Sequence, residues 1–128
     1  MRTLIVEDNT TFRKTFKDML CKRFPLMLVE EALDGAEALE KAETFMPDLI
    51  FMDIRLPGET GLEVTKKIKA SRPEVVIIIL TGYNLPEYRE AAFDCGADDF
   101  AIKESLNPAA IEALVKSIFS GCILGQSK

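Results

Sequence analysis

Five short apolar runs punctuate the chain: Thr3–Val6, Leu26–Glu30, Leu49–Met52, Val75–Leu80 and Phe100–Ile102. The third and fourth, "LIFM" and "VVIIIL", are apolar throughout and lack the alternation of a strand with one wet face. Such runs suit strands covered on both sides, as in parallel sheets. Between the runs, apolar residues recur at helical spacing. Phe12, Phe16 and Leu20 form one stripe; Ala36 with Leu39, and Val64 with Ile68, form shorter ones. Tyr88, Ala91, Ala92 and Cys95 make a fourth, and Ile111, Leu114, Val115 and Ile118 a fifth. Asn107 and Pro108 read as the cap and first residue of that last helix. Pro47, Pro57, Pro73 and Pro86 fall between elements, and Gly35, Gly61 and Gly96 near element ends. The pattern is a strand followed by a helix, five times over. It predicts an α/β fold, a doubly wound (βα)5 parallel sheet with helices on both faces and right-handed crossovers.

Composition narrows what such a domain can do. At 128 residues the chain fits one domain with a real core. No apolar run approaches the roughly 18 residues that span a bilayer, and "MRTLIVEDN" is too short an apolar stretch for a signal peptide. A cytoplasmic setting without membrane contact is the expectation. The net charge of −5 makes the chain a poor nucleic-acid surface. Cys21, Cys95 and Cys122 are odd in number and far apart, against both a disulfide framework and a zinc site; they read as small buried hydrophobes in a reducing compartment. There is no histidine, which removes Ser-His and Cys-His nucleophiles and His-ligated metals. Chemistry must rest on carboxylates, lysine, hydroxyls and backbone.

In open parallel sheets, ligands bind beyond the carboxyl ends of the strands. The first run ends in Glu7-Asp8, the third in Asp53, the fourth in Thr81-Gly82 and the fifth in Lys103. If the sheet forms as read, these side chains meet at one edge. Three carboxylates together repel, and burial raises their pKa values. A hard divalent cation relieves that cost, and oxygen ligands suit Mg2+, which also favours phosphate. Lysine would neutralise a phosphoryl oxygen and threonine would donate to another. Asp53 could then act as a nucleophile, forming an aspartyl phosphate. Each piece has a plainer reading: Glu7-Asp8 as a polar loop leading to an Asn9 cap, Asp53 and Thr81-Gly82 as turn residues, Lys103 as a solvated side chain. Their landing together at separate strand ends favours the chemical reading.

With those residues in place, the chain resembles the receiver domain of two-component response regulators. The resemblance rests on "LIVEDN" at 4–9, "DLIFMDIRLPGETGLE" at 48–63, "IIILTGY" at 77–83 and "GADDFAIKESL" at 96–106, in the family's order and spacing. It implies a flavodoxin-like sheet with strand order 2-1-3-4-5. It implies that Asp53 accepts a phosphoryl group from a histidine kinase or phosphotransfer protein. Mg2+ would be held by Glu7, Asp8, Asp53 and the backbone carbonyl of Arg55. Thr81, the Gly82 amide and Lys103 would bind the phosphoryl group. Thr81 and Phe100 would form the switch, the ring turning inward as Thr81 moves. The fourth helix, fifth strand and fifth helix would then recruit a partner or a second copy, a homodimer through that surface or through the fifth helix. The chain would not be a turnover enzyme on an external substrate.

Departures from the family's pattern are few. Glu104 follows Lys103 where proline is frequent, and Thr60 stands where aspartate is frequent; Arg55 and Tyr83 occupy positions that tune phosphoryl lifetime in the family. The end of the chain, "IEALVKSIFSGCILGQSK", resembles the junction of LuxR/NarL-type regulators. The expectation is a receiver over 1–120, a tail or linker start over 121–128, and a DNA-binding output domain absent from this chain. Three other readings compete. A haloacid-dehalogenase-like phosphatase needs D-x-D, but Asp53 is followed by Ile54-Arg55. A nucleotide- or flavin-binding domain needs a first loop shaped for phosphate, but "VEDNTTFRK" is acidic and has no glycine. A degenerate receiver would act as a binding scaffold alone, yet every chemical position is filled.

Overall fold

The structure, a computed structural model, describes the backbone of residues 1–126 and side chains through Ile118. Strands and helices alternate strictly. They are β1 (Arg2–Val6), α1 (Thr10–Arg23), β2 (Leu28–Ala32), α2 (Gly35–Thr44), β3 (Leu49–Asp53), α3 (Gly61–Ser71), β4 (Val76–Thr81), α4 (Pro86–Asp94), β5 (Asp99–Ile102) and α5 (Pro108–Gln126). All pairings are parallel and the sheet order is β2-β1-β3-β4-β5, as the resemblance implied.

The continuous apolar runs are explained by two cores, one on each face of the sheet. Successive side chains of a strand point to opposite faces. Leu4, Val6, Ile50, Met52, Ile77, Ile79 and Phe100 pack with Ala38, Val64, Ile68 and Ala92 of α2, α3 and α4. Ile5, Leu49, Phe51, Ile78 and Leu80 pack with Phe16, Leu20, Ile111 and Val115 of α1 and α5. Phe16 meets Phe51 edge-on at 4.7 Å between ring centres. Every residue of β3 is buried, so the strand carrying Asp53 is fixed from both sides.

Several local readings shift. β2 begins at Leu28, two residues beyond the expected start, because Phe24 caps α1 and a turn through Pro25 delays pairing until after Met27. It is an edge strand, so it is exposed and polar where the inner strands are not. The inner face of α2 is Gly35, Ala38 and Ala42, whereas Ala36 is exposed and Leu39 only half-buried. Small residues mark that face because α2 lies hard against α3: a Cβ on Gly35 would come within 2.7 Å of Val64 Cγ2. Cys21 is exposed, not buried, because it follows Leu20 on the wet side of α1; Cys95 is half-buried, and Cys122 lies outside the residues whose side chains are described. The expected tail over 121–128 includes Ser127 and Lys128, which lie outside the described residues, while the backbone of α5 runs to Gln126. Among the described residues no peptide bond is cis, Lys103–Glu104 included, and no helix is long and apolar enough to cross a membrane.

Caps set where the helices begin. Asn9, Asp34, Thr60 and Asn107 each accept an amide of the first turn. Thr60 therefore does the capping that the more frequent aspartate would do. Replacing it by alanine is expected to lower stability by about 1 kcal/mol, whereas Thr60→Asp should be neutral or slightly stabilising. Urea denaturation of the two variants checks this.

Candidate functional site

Parallel register places the strand ends side by side. Val6 pairs with Met52, Asp53 with Leu80, and Thr81 with Ile102. The residues that follow Val6 and Ile102, together with Asp53 and Thr81, therefore share one edge. Glu7 and Asp53 are buried there and Asp8 is exposed; one carboxylate oxygen from each lies within 4.8 Å of the other two. Lys103 reaches in from the end of β5. Its Nζ stands 2.5 Å from Glu7 Oε1 and 3.4 Å from Asp53 Oδ2, with the Phe12 ring centre 4.7 Å away. Glu7 Oε1 is buried, with the Lys103 ammonium directly against it. The other oxygen, Oε2, accepts the Asn9 N–H at 3.0 Å.

The charges do not balance. Three carboxylates face one ammonium, an excess of two negative charges when all are ionised. Burial and the neighbouring Glu7 push the Asp53 carboxyl up to about 7, and the attraction of Lys103 only partly offsets them.

The other expected residues, Thr81, Gly82, Arg55 and Phe100, have surroundings of their own. Thr81 is buried, and its Oγ1 accepts the Tyr83 N–H at 3.2 Å. Gly82 is exposed with open space around it. The Arg55 side chain lies on the surface, its guanidinium carbon 4.3 Å from the Tyr83 ring centre. Phe100 is already inside, under α4, with the Arg89 guanidinium 5.0 Å from its ring centre. In this conformation the ring has nothing left to turn inward.

Two residues escaped the sequence reading. Gly61 opens α3, donates its N–H to Ile54 O at 2.8 Å, and passes so close to β3 that a Cβ would stand 1.9 Å from the Asp53 carbonyl oxygen. The "PGETG" signal was visible, but as a turn signal. Arg13 is buried on α1 beside Phe16 and Leu20 and donates to the Glu7 carbonyl at 3.0 Å. Its position on the apolar stripe was the available sign.

Two predictions follow from this geometry. Gly61→Ala must move α3 or the end of β3; a loss of about 2–4 kcal/mol in denaturation is expected, with Asp53 amide resonances displaced. For Asp53, the unfolded chain ionises near the ordinary 3.8 and the folded one near 7. Between those values the folded state holds the extra proton, so stability falls as pH rises from about 4 to about 7. Asp53→Asn removes the penalty. It is expected to stabilise the metal-free protein by on the order of 1–3 kcal/mol at pH 8 and by little below pH 4, measured by thermal and urea unfolding at both pH values.

Known proteins match the chain along most of its length. The family model described as the response regulator receiver domain matches residues 3–116. The oxygen regulatory protein NreC of Staphylococcus carnosus is 34% identical over 122 residues, which is 94% of this chain and 56% of that protein. The crystal structure of a response regulator receiver domain protein (CheY-like) from Methanospirillum hungatei superposes with a TM-score of 0.84 at 32% identity, covering 94% of both chains. That of a LuxR-family two-component response regulator from Aurantimonas gives 0.84 at 30% identity, covering 94% of this chain and 85% of the other. The chain spans about half the length of the curated relatives it matches. Fold, strand-end chemistry and these matches converge: the chain belongs to the response regulator receiver domain family.

Proposed function

We propose that Asp53 is the phosphoacceptor of this receiver, supplied by a histidine kinase or phosphotransfer protein. The observation that carries the reading is the meeting of Glu7, Asp8 and Asp53 with Lys103 at adjoining strand ends. Mg2+ fits this donor set. The ligands are all oxygen, the uncompensated charge is two, and the one ammonium against buried Glu7 Oε1 is shared with Asp53. Glu7, Asp8, Asp53 and the Arg55 backbone carbonyl would hold the ion. When bound, it supplies positive charge to the phosphoryl oxygens and lowers the repulsion among the carboxylates.

The chain's own residues do the rest. An Asp53 carboxylate oxygen attacks phosphorus in line as the donor's bond breaks, and the donor keeps that electron pair. The buried β3 holds the oxygen in place, so little ordering is left to be done at the moment of reaction. Lys103, already between Glu7 and Asp53, takes up the added negative charge. The Thr81 hydroxyl accepts from Tyr83 and keeps its own proton free to donate to a phosphoryl oxygen, beside the Gly82 amide.

Once Thr81 is drawn to the phosphoryl group, its bond to Tyr83 at the start of the β4–α4 connection is lost. Helix α4 buries only Ala92 and has no side-chain cap, so it is the weakly held neighbour that such a change would move. Phe100 beneath it would set the packing of the α4-β5-α5 surface, which would recruit a partner or a second copy, through that surface or α5 alone. In this reading residues 1–120 form the receiver and residues 121–128 begin a linker to a DNA-binding domain. The domain itself would touch no nucleic acid, turn over no external substrate, and work in the cytoplasm.

Incubation with acetyl phosphate and Mg2+ followed by mass spectrometry tests the central step. One phosphoryl group on the wild type, none on Asp53→Asn and none after chelation are expected; equal labelling of both proteins would count against it.

A further inference from the structure

Glu7 is held at three points. Its N–H donates to Ala32 O at 3.0 Å, its carbonyl accepts Arg13 Nη1 at 3.0 Å, and its Oε2 accepts the Asn9 N–H at 3.0 Å. Only Oε1 is left for the pocket. Two of these three bonds come from ordinary backbone. The third comes from a buried guanidinium, which is costly to desolvate and needs a reason.

Arg13 does not act alone. Its Nε donates to Glu31 Oε1 of β2 at 2.8 Å, and the other oxygen of Glu31 takes Lys17 Nζ at 3.1 Å. Burial pushes the Glu31 carboxyl upward, but the hydrogen bonds from Arg13 and Lys17 outweigh it and hold the group below its usual range. The pair is therefore ionised, and the guanidinium enters the site edge with its charge already matched. A planar fork with donors at fixed angles can span a carboxylate on β2 and a carbonyl at the end of β1 at once; an ammonium cannot.

The carbonyl it grips matters. The Glu7 C=O belongs to the same planar unit as the Asp8 nitrogen and Cα. Fixing that oxygen fixes the plane, and with it the direction in which Asp8 leaves the strand. Glu7 and Asp8 are consecutive, so without the clamp one peptide rotation would separate their carboxylates.

We propose that Arg13 is a positioning residue for the acidic pocket: together with Glu31 it locks the Glu7–Asp8 peptide so that both carboxylates converge with Asp53 on a divalent cation. The inference rests on the pocket being a Mg2+ site, as proposed above.

Mg2+ titration of the isotope-labelled chain by NMR tests it, with Arg13→Gln, Arg13→Lys and Lys17→Met compared against wild type. Arg13→Gln is expected to weaken Mg2+ binding about 10- to 100-fold, the range for residues that orient ligands. Arg13→Lys should fall between, because one ammonium reaches Glu31 or the carbonyl but not both. Lys17→Met removes charge from the same Glu31 without touching Glu7, and should stay within about twofold of wild type. A second readout needs no metal. Amide exchange at Asp8 and Asn9 should accelerate in Arg13→Gln while Leu4–Val6 remain protected, and should not change in Lys17→Met. Unaltered affinity and exchange in Arg13→Gln, or an equal loss in Lys17→Met, would overturn the proposal. If the wild type takes up no Mg2+, the pocket reading fails and the exchange result alone decides the clamp. If Arg13→Gln does not fold, Arg13→Lys carries the same comparison.

Discussion

The buried contact among Glu7, Asp53 and Lys103 is the constraint around which this domain is arranged. A carboxylate at the end of an all-apolar strand is expensive, and a second one beside it more so. The sheet tolerates both because parallel register brings an ammonium from β5 to within 2.5 Å of one and 3.4 Å of the other. One ammonium does not neutralise three carboxylates. Burial and the neighbouring Glu7 push the Asp53 carboxyl up to about 7, and a cation would relieve that cost. Stability and readiness for chemistry are thus opposed at one place, as is usual where function is stored.

That opposition requires rigidity elsewhere. β3 is buried on both faces, with Phe51 against Phe16 and Met52 in the opposite core. Gly61 lets α3 start against the Asp53 carbonyl, closing the loop that begins at Asp53. Glu7 is tied to β2, to α1 and to Asn9. By contrast, α4 buries one residue, Ala92, and lies against β5, an edge strand. The rigid half of the site holds the Asp53 carboxylate, the proposed phosphoacceptor, and the loosely held half is α4, proposed above to move.

Much of this was legible in the amino-acid sequence, for a physical reason. Strands buried on both faces must be apolar throughout, so "LIFM" and "VVIIIL" announced a parallel sheet, and a parallel sheet puts all its strand ends on one edge. The meeting of Glu7, Asp8, Asp53 and Lys103 therefore follows from the order of elements along the chain. What escaped depends on contacts distant in sequence. The start of β2 was misplaced because the apolar Leu26 and Met27 lie in the connection after α1, not in the strand. The inner face of α2 was misread because it is chosen by close approach to Val64, which favours glycine and alanine over the larger Leu39. Arg13 reads as a surface charge until Glu31, eighteen residues away, is found to receive it. Phe100 could be located but not its orientation, since that depends on its packing with Ala92 and Arg89 of α4.

The claim that an uncompensated carboxylate is held at the edge of the sheet for a cation can be measured at Asp53 itself. Carbon-13 NMR of the Asp53 side-chain carboxyl, titrated with and without Mg2+, reads its ionisation directly. The account predicts a midpoint near 7 in the metal-free protein and a fall of about two units or more when Mg2+ is added, because the ion favours the charged form. A midpoint near 4 in the metal-free protein, unmoved by Mg2+, would contradict it.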